Sequence, residues 1–186
     1  EVIMKKEMSM KYIIFGLFMF IGLSTGSRAE PLKVVDFVEI DKYLGTWYEI
    51  ARFQNSFQKK CAGDVTATYS LREDGDLRVV NKCRTTWEGE EYSESVGKAW
   101  VVDETTNAKL KVQFFWPFRG DYWIIGLGEN YDYAVVGHPD RDYLWILSRT
   151  PEMDPVLYEE LLGMLILQGY DINKLNKTVQ TLSGEF

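Results

Sequence analysis

Apolar and polar residues alternate with a period of two along most of the chain, in short segments separated by Gly, Pro, Asn and Asp. This alternation predicts half-buried β-strands, and the separating residues are typical of turns. Eight segments follow one another: WYEIARF, DVTATYSL, LRVVNKC, YSESVGKAWVV, KLKVQFF, DYWIIGLGE, YAVVGH and DYLWILS. Asp74-Gly75, between the second and third segments, is a hairpin signature, so we expect consecutive strands to be antiparallel.

One amphipathic helix is predicted after the last strand. Asp154 suits the N-cap, Pro155 the first turn, and Gly169 the end of the helix. Its apolar face consists of leucines: Leu157, Leu161 and Leu165. Eight sequential antiparallel strands and one late helix predict an all-β fold, an eight-stranded antiparallel up-and-down β-barrel with the C-terminal helix packed outside.

The N-terminal segment does not share this pattern. Lys5, Lys6 and Lys11 lead into the apolar stretch Tyr12 to Leu23, which is followed by small residues up to Ala29. This order is typical of a signal peptide. A membrane anchor is the alternative, but the apolar stretch makes a helix of roughly 18 Å against about 30 Å of hydrocarbon. We therefore favour cleavage after Ala29.

These boundaries divide the chain into a signal peptide at 1–29 and one barrel domain at 30–186. No cysteine lies near the predicted cleavage site, so the thioether anchor of a bacterial lipoprotein has no attachment point. We expect an exported protein, periplasmic or secreted, that associates with the outer membrane at most peripherally and has no lipoprotein anchor cysteine.

Charge and cysteine content narrow the chemistry further. The formal net charge of −7 disfavours nucleic acid and anionic membranes as partners. In an oxidising compartment, Cys61 and Cys83 are expected to form a disulfide. One histidine, two cysteines and no clustered carboxylates predict neither a metal site nor a cofactor.

Three motifs occur in order along the chain. Gly45 and Trp47 form a G-x-W element, ENYDYAVV occupies Glu129–Val136, and Arg149 ends the last strand. In this combination the chain resembles the lipocalin family, more narrowly the bacterial lipocalin branch related to apolipoprotein D. The resemblance covers about Val35–Lys177 and implies a barrel that holds a small hydrophobic ligand.

Strand direction predicts which motifs meet. Hairpin connections alternate between the two ends of a barrel, so Trp47, the ENYD turn and Arg149 should lie together at the end where the first strand begins. Gly45 permits a tight entry there, Trp47 closes the barrel floor, and Arg149 lies over its indole face. We interpret these residues as structural.

The opposite end is then the mouth. It collects the loops after strands one, three, five and seven, which contain QNSFQKKCAG, RTTWEGE, WPFRG and HPDRD. Cys61 and Cys83 fall at this end, so their disulfide would hold the first loop at the rim. We expect this loop to act as a lid.

A period of two also predicts the lining of the interior. The inward-facing positions are apolar or aromatic: Val65, Ala67, Tyr69, Leu71, Leu110, Val112, Phe114, Tyr143, Trp145 and Leu147. Their polar neighbours Thr66, Thr68, Lys109 and Lys111 should face out. The resemblance favours Tyr69 and Trp145 as pocket walls, and the alternative for each is a packed core residue. Rim arginines are candidates for contact with a head group: Arg84, Arg119 and Arg141.

The function expected from these features is that of an extracytoplasmic carrier for a long-chain fatty acid or lysophospholipid, in envelope lipid transport or a stress response. One alternative is a surface-interaction protein that uses the Trp116–Phe118 loop. Another is a lipocalin-type enzyme, which we disfavour because both thiols lie at the rim and His138, the single histidine, lies in a loop. A peripheral membrane contact and a homodimer both remain open from sequence.

Overall fold

The structure, a computed structural model, describes residues 30–181. The predicted signal peptide therefore lies outside the described residues. The strands are β1 (Gly45–Phe53), β2 (Gly63–Leu71), β3 (Leu77–Arg84), β4 (Tyr92–Val101), β5 (Lys109–Gln113), β6 (Gly120–Leu127), β7 (Tyr133–Gly137), β8 (Leu144–Ser148) and β9 (Leu175–Lys177). The helices are α1 (Ile40–Tyr43), α2 (Pro155–Leu167) and a 3-10 helix at Ile172–Lys174. No helix among these residues is long and apolar enough to span a membrane.

Strands β1 to β8 form a closed barrel. Each pairs with the next in antiparallel orientation, and β8 pairs with β1 to complete the circle. The predicted eight-stranded up-and-down barrel is confirmed. Strand β9, helix α1 and the 3-10 helix were not predicted from the sequence, because each is too short to show a periodic pattern.

Helix α2 begins and ends as the sequence predicts. The Asp154 side chain accepts hydrogen bonds from the backbone N–H groups of Val156 and Leu157, at 2.8 and 3.1 Å. Pro155 occupies the first turn, where a missing N–H costs nothing, and Gly169 takes the positive φ of 81° that follows the helix.

Two apolar cores lie on opposite sides of the barrel wall. Leu161 and Leu165 of α2 pack against the outer face of the barrel, where Ile146 is also buried. Trp145 and Leu147, the alternate residues of β8, pack inside the barrel. Strand β8 therefore serves both cores, and the helix lies outside as expected.

A β-bulge interrupts the alternation of β1. Trp47 lies opposite Ala67, and Glu49 lies opposite Leu147, but the register shifts between Glu49 and Ala51. After the shift, Arg52 lies opposite Trp145, an inward-facing residue. Because paired residues share a face of the sheet, Glu49 and Arg52 both face the interior.

The C-terminal segment completes the wall near the mouth, where β1 and β2 no longer pair directly. The backbone N–H of Asp64 donates to the carbonyl of Val179 at 2.8 Å. The side-chain amide of Gln180 donates to the carbonyls of Glu49 and Val65, both at 2.9 Å. Residues beyond β9 thus link the two strands across the gap between them.

Candidate functional site

The floor of the barrel is formed by Trp47 and Arg149. Trp47 is fully buried, and its indole N–H donates to the carbonyl of Tyr43 at 2.9 Å. The guanidinium carbon of Arg149 lies 3.7 Å from the centroid of the Trp47 ring. The same guanidinium donates to three carbonyl oxygens, those of Thr46, Lys42 and Tyr131, at 2.9, 2.8 and 3.2 Å. Both residues are therefore committed to protein contacts at this end.

Three tyrosines form a hydrogen-bonded group above the floor. The hydroxyl of Tyr122 lies 2.8 Å from those of both Tyr43 and Tyr69. Burial raises the pKa of Tyr69 to about 12 and raises the pKa values of Tyr43 and Tyr122 well above the usual range. All three phenols are therefore uncharged at neutral pH.

The wall above this group is apolar and incompletely filled. Four side chains that face the interior, Ala67, Val112, Tyr122 and Trp145, are only half-buried. Their partial exposure shows that neighbouring side chains do not cover this part of the inner face completely. The floor-side positions are closed: Tyr69 is 4% exposed and Leu110 is 2% exposed.

The remaining predicted lining residues fall into three groups. Val65 is buried near the mouth, and Phe114 packs against the edge of the interior core. Tyr143 stacks on Trp145, with ring centroids 5.9 Å apart and planes within 5°. Leu71 lies opposite the buried Leu77 and so keeps the inward register, but it is 57% exposed and does not pack in the interior core. Leu71 is the last residue of β2, next to the hairpin turn.

An aromatic stack lies at the mouth beside Tyr143 and Trp145. Phe57, from the loop after β1, lies 5.7 Å from the ring of Tyr143 and 6.3 Å from that of Trp145. Phe57 remains 56% exposed. This loop is held by the disulfide between Cys61 and Cys83, whose Cα atoms are 5.5 Å apart, so the predicted pairing is confirmed.

A buried polar cluster near the mouth was not predicted from the sequence. Glu49 forms an ion pair with Arg52, and the side chains of these two residues are 3% and 16% exposed. Gln58 donates to the Glu49 carboxylate at 2.7 Å and accepts from the Trp145 indole N–H at 3.0 Å. Thr178 donates to the same carboxylate at 2.5 Å. The cluster thus joins the first mouth loop, β1 and the C-terminal segment next to an inward-facing tryptophan.

The rim arginines occupy other positions. Arg119 is exposed, and its guanidinium lies 5.5 Å from the ring of Trp100, which alternates with the buried Ala99 and so faces outward. Arg84 donates to the buried carboxylate of Asp64 at 2.7 Å. Arg141 donates to the carbonyl of Gln168, after helix α2, at 2.6 Å. The structure brings none of these three arginines into the interior, whereas Arg52 faces it.

One mouth loop, between β5 and β6, exposes a cluster of aromatic residues. Phe115, Trp116 and Phe118 are 72%, 85% and 77% exposed. Large apolar side chains grouped in this way mark contact sites more often than scattered ones do.

Features outside the interior are weaker candidates for a ligand site. Two surface depressions lie outside the barrel, one at the β2–β3 turn around Arg72 and Asp74, the other beside Phe53 and Asn176. Neither is lined by the inward-facing residues. Across residues 30–181, no group of three or more His, Cys, Asp or Glu side chains could hold a metal ion.

Comparison with known proteins places this geometry in a family. A family model described as a lipocalin-like domain matches residues 38–180. The outer membrane lipoprotein Blc of Escherichia coli is 44% identical over 84% of this chain and 88% of that protein. Apolipoprotein D of Bos taurus is 32% identical over 76% of this chain and 77% of that protein. The structure of insecticyanin from Manduca sexta superimposes with a TM-score of 0.66 at 17% identity, covering 83% of this chain and 87% of that one, which supports the fold alone.

The relatives correct one expectation from the sequence. We expected an exported protein without a lipoprotein anchor cysteine, but relatives at 42 to 44% identity are named outer membrane lipoproteins, a class that carries such an anchor. The expectation was wrong because it used the cysteine content of the predicted signal peptide alone as evidence about anchoring. The motifs, the closed barrel and the relatives agree on one conclusion: the chain belongs to the lipocalin family.

Proposed function

We propose that this protein is an extracytoplasmic carrier that holds one long-chain fatty acid or lysophospholipid inside the barrel, in envelope lipid transport or a stress response. The observation that carries the proposal is the half-buried state of inward-facing Ala67, Val112 and Trp145. Lipocalins in general bind small hydrophobic ligands, and an apolar interior open at one end suits such a ligand.

Burial of an acyl chain supplies the affinity. Each methylene moved from water into the interior contributes about 0.8 kcal/mol, less the cost of ordering the chain. An eight-stranded barrel has room for one small ligand beside its own side chains. We therefore expect a stoichiometry of one ligand per chain.

The polar cluster near the mouth supports a choice of head group. Glu49 and Arg52 face the interior as a pair of opposite charges, so their summed charge is close to zero. A lone carboxylate would compete with Glu49 for the guanidinium, whereas a zwitterionic head group adds no net charge beside this pair. The cluster therefore favours a lysophospholipid over a fatty acid. In this proposal Arg52, and not Arg119, lies next to the head group.

Ligand binding to purified, delipidated protein tests the carrier function. A fluorescent fatty acid and a lysophosphatidylcholine should each bind at about one per chain, and Trp145 emission should change on filling. Ala67→Trp should abolish binding while the barrel stays folded, since overpacking costs about 1 to 3 kcal/mol. Thr66→Trp, on the outer face of the same strand, is the matched control and should bind normally. The carrier function fails if no acyl ligand binds at micromolar or lower Kd.

Head-group selection is tested by Arg52→Gln with Arg119→Gln as its control. We expect Arg52→Gln to reduce the ratio of lysophosphatidylcholine affinity to fatty-acid affinity, and Arg119→Gln to leave the ratio unchanged. The reverse result would place the head group at the outer rim.

A second candidate function is a surface interaction through the β5–β6 loop. The exposed Phe115, Trp116 and Phe118 supply an apolar tip beside the mouth, which suits a peripheral contact with a zwitterionic lipid surface. Phosphatidylcholine vesicles should co-sediment with the protein, and Trp116→Ser should weaken this without altering ligand affinity in solution. Equal sedimentation of both proteins would remove this candidate. The bond between the two thiols leaves neither Cys61 nor Cys83 as a free nucleophile.

A further inference from the structure

The tyrosine group inside the barrel has more hydrogen-bond donors than acceptors in use. Tyr43, Tyr69 and Tyr122 carry one hydroxyl proton each, but only two contacts join the three hydroxyls. No other hydrogen bond of residues 30–181 involves these three oxygens. One proton therefore lacks an acceptor within the described chain, and buried donors normally have one.

The geometry identifies the hydroxyl that carries this proton. The Tyr69 hydroxyl donates to Tyr122. If Tyr122 in turn donated to Tyr43, the unused proton would belong to Tyr43, which is 1% exposed and could not reach an acceptor. If Tyr43 donates, Tyr122 accepts twice and its own proton is unused. The second arrangement leaves the proton on the half-buried member of the group.

Tyr122 presents this proton to the open part of the interior. It lies opposite Leu110, a buried residue of the interior core, so both side chains face inward. Its oxygen accepts two hydrogen bonds, and a hydroxyl that accepts from two donors is polarised into a stronger donor itself. The remaining position on Tyr122 therefore suits an acceptor, and a ligand group that can only donate would find no partner.

We propose that the Tyr122 hydroxyl is a donor site for an uncharged acceptor oxygen on the apolar part of the ligand, such as the keto, hydroxyl or ester oxygen of an oxygenated acyl chain. This deepens the carrier function and rests on it. A carboxylate is disfavoured at this depth, because the surrounding phenols are neutral and Arg149 is held against Trp47 beneath the floor.

Matched acids test the site in the whole chain. Octadecanoic acid is compared with a series of oxo-octadecanoic acids that carry the ketone at successive positions. We expect at least one isomer to bind the wild type about fivefold to tenfold more tightly than the plain acid. Tyr122→Phe should abolish this preference, which is measured as the ratio of the two affinities in the same variant. Tyr69→Phe, which removes a donor to Tyr122 but keeps the Tyr122 proton, should retain it.

The infrared carbonyl stretch of the preferred ketone gives a readout that needs no variant. Its frequency should fall on binding to the wild type and should not fall on binding to Tyr122→Phe. The proposal is overturned if no isomer binds more tightly than octadecanoic acid, if the preference survives Tyr122→Phe, or if the bound ketone shows no shift. If neither these acids nor lysophosphatidylcholine binds, the carrier function fails and the site fails with it. If octadecanoic acid binds but no isomer is preferred, only the site fails.

Discussion

The guanidinium carbon of Arg149 lies 3.7 Å from the centroid of the Trp47 indole ring, although Trp47 lies in the first strand of the barrel and Arg149 directly follows the eighth. The contact closes the floor from below, and the N–H groups of Arg149 donate hydrogen bonds to backbone carbonyls of that floor. A desolvated cation–π contact of this kind contributes about 2 kcal/mol.

Arg149→Ala should therefore lower stability without changing ligand binding. We expect a decrease in Tm of about 3 to 8 °C, with the affinity of the folded fraction for a fatty acid unchanged. Thermal unfolding monitored by circular dichroism, and displacement of a fluorescent lipid, measure the two effects. Arg149→Lys keeps the charge but loses the planar guanidinium. Its Tm should lie between those of the wild type and Arg149→Ala. Full stability with lost binding would mean that this end of the barrel is the ligand entrance.

Removal of the disulfide should lower stability by about 3 kcal/mol, since the bond closes a separation of 22 residues. The double variant Cys61→Ser and Cys83→Ser tests this by urea unfolding. Intact mass of protein purified without reductant should show a deficit of about two hydrogens, and an alkylating agent should not react. Two thiols that react in the folded protein would contradict the pairing.

The Asp64 carboxylate should give an acid-dependent stability effect. Burial acts to raise the pKa of Asp64, but hydrogen bonds from Thr181 and Arg84 outweigh it, so the pKa is lowered. The unfolded chain then takes up the proton first as pH falls. The stabilisation is present above about pH 4 and is lost as pH falls through the folded pKa.

Asp64→Asn should accordingly cost about 3 kcal/mol at neutral pH, and its difference from the wild type should shrink below pH 4. The side-chain amide tolerates the positive φ of 47° at this position. Asp74→Asn, in an exposed pair with Arg72, is the control and should change stability much less. A constant difference between pH 7 and pH 3 would show that the charge of Asp64 is not the cause.

The buried tyrosines should make the protein sensitive to alkali. Tyr69 has a pKa of about 12 in the folded protein, above its ordinary value of 10.0, because burial disfavours the phenolate. Below pH 10 both states are protonated and the stabilisation is complete. Between pH 10 and 12 the unfolded chain loses its proton first, so stability falls by about 1.4 kcal/mol per pH unit for this residue. Urea unfolding of wild type and Tyr69→Phe across this range should show a shallower decline in the variant, and equal slopes would contradict the assignment.

Local patterns in the sequence were sufficient to predict the strand order, the helix that follows the last barrel strand, and the residue that caps this helix. Alternation, turn residues and capping are interactions between near neighbours, so they are visible without the fold. The direction of each strand also predicted which loops meet at each end of the barrel, because successive hairpins alternate between the two ends. The disulfide was expected from an oxidising compartment, and the placement of Cys61 and Cys83 at the same end of the barrel is consistent with it.

Positions that depend on register could not be predicted in the same way. A strict period of two from Trp47 places Arg52 outside, but the bulge after Glu49 turns Arg52 inward. Arg119 was placed at the rim because its loop lies at the mouth, but its guanidinium lies against the outward-facing Trp100. A bulge adds one residue to one strand only, so nothing in the alternation of β1 itself reveals which way Arg52 points.

The sequence by itself determined the fold family, the barrel with its outer helix, and an apolar interior with Trp47 at its closed end. Only the tertiary structure decided which polar groups enter that interior: the Glu49–Arg52 pair and the hydroxyls of Tyr43 and Tyr122, which are 79 positions apart in the chain. The physical reason is that hydrophobic alternation specifies a face for each residue, whereas a hydrogen bond between distant strands also requires the stagger of the barrel, which no local pattern encodes.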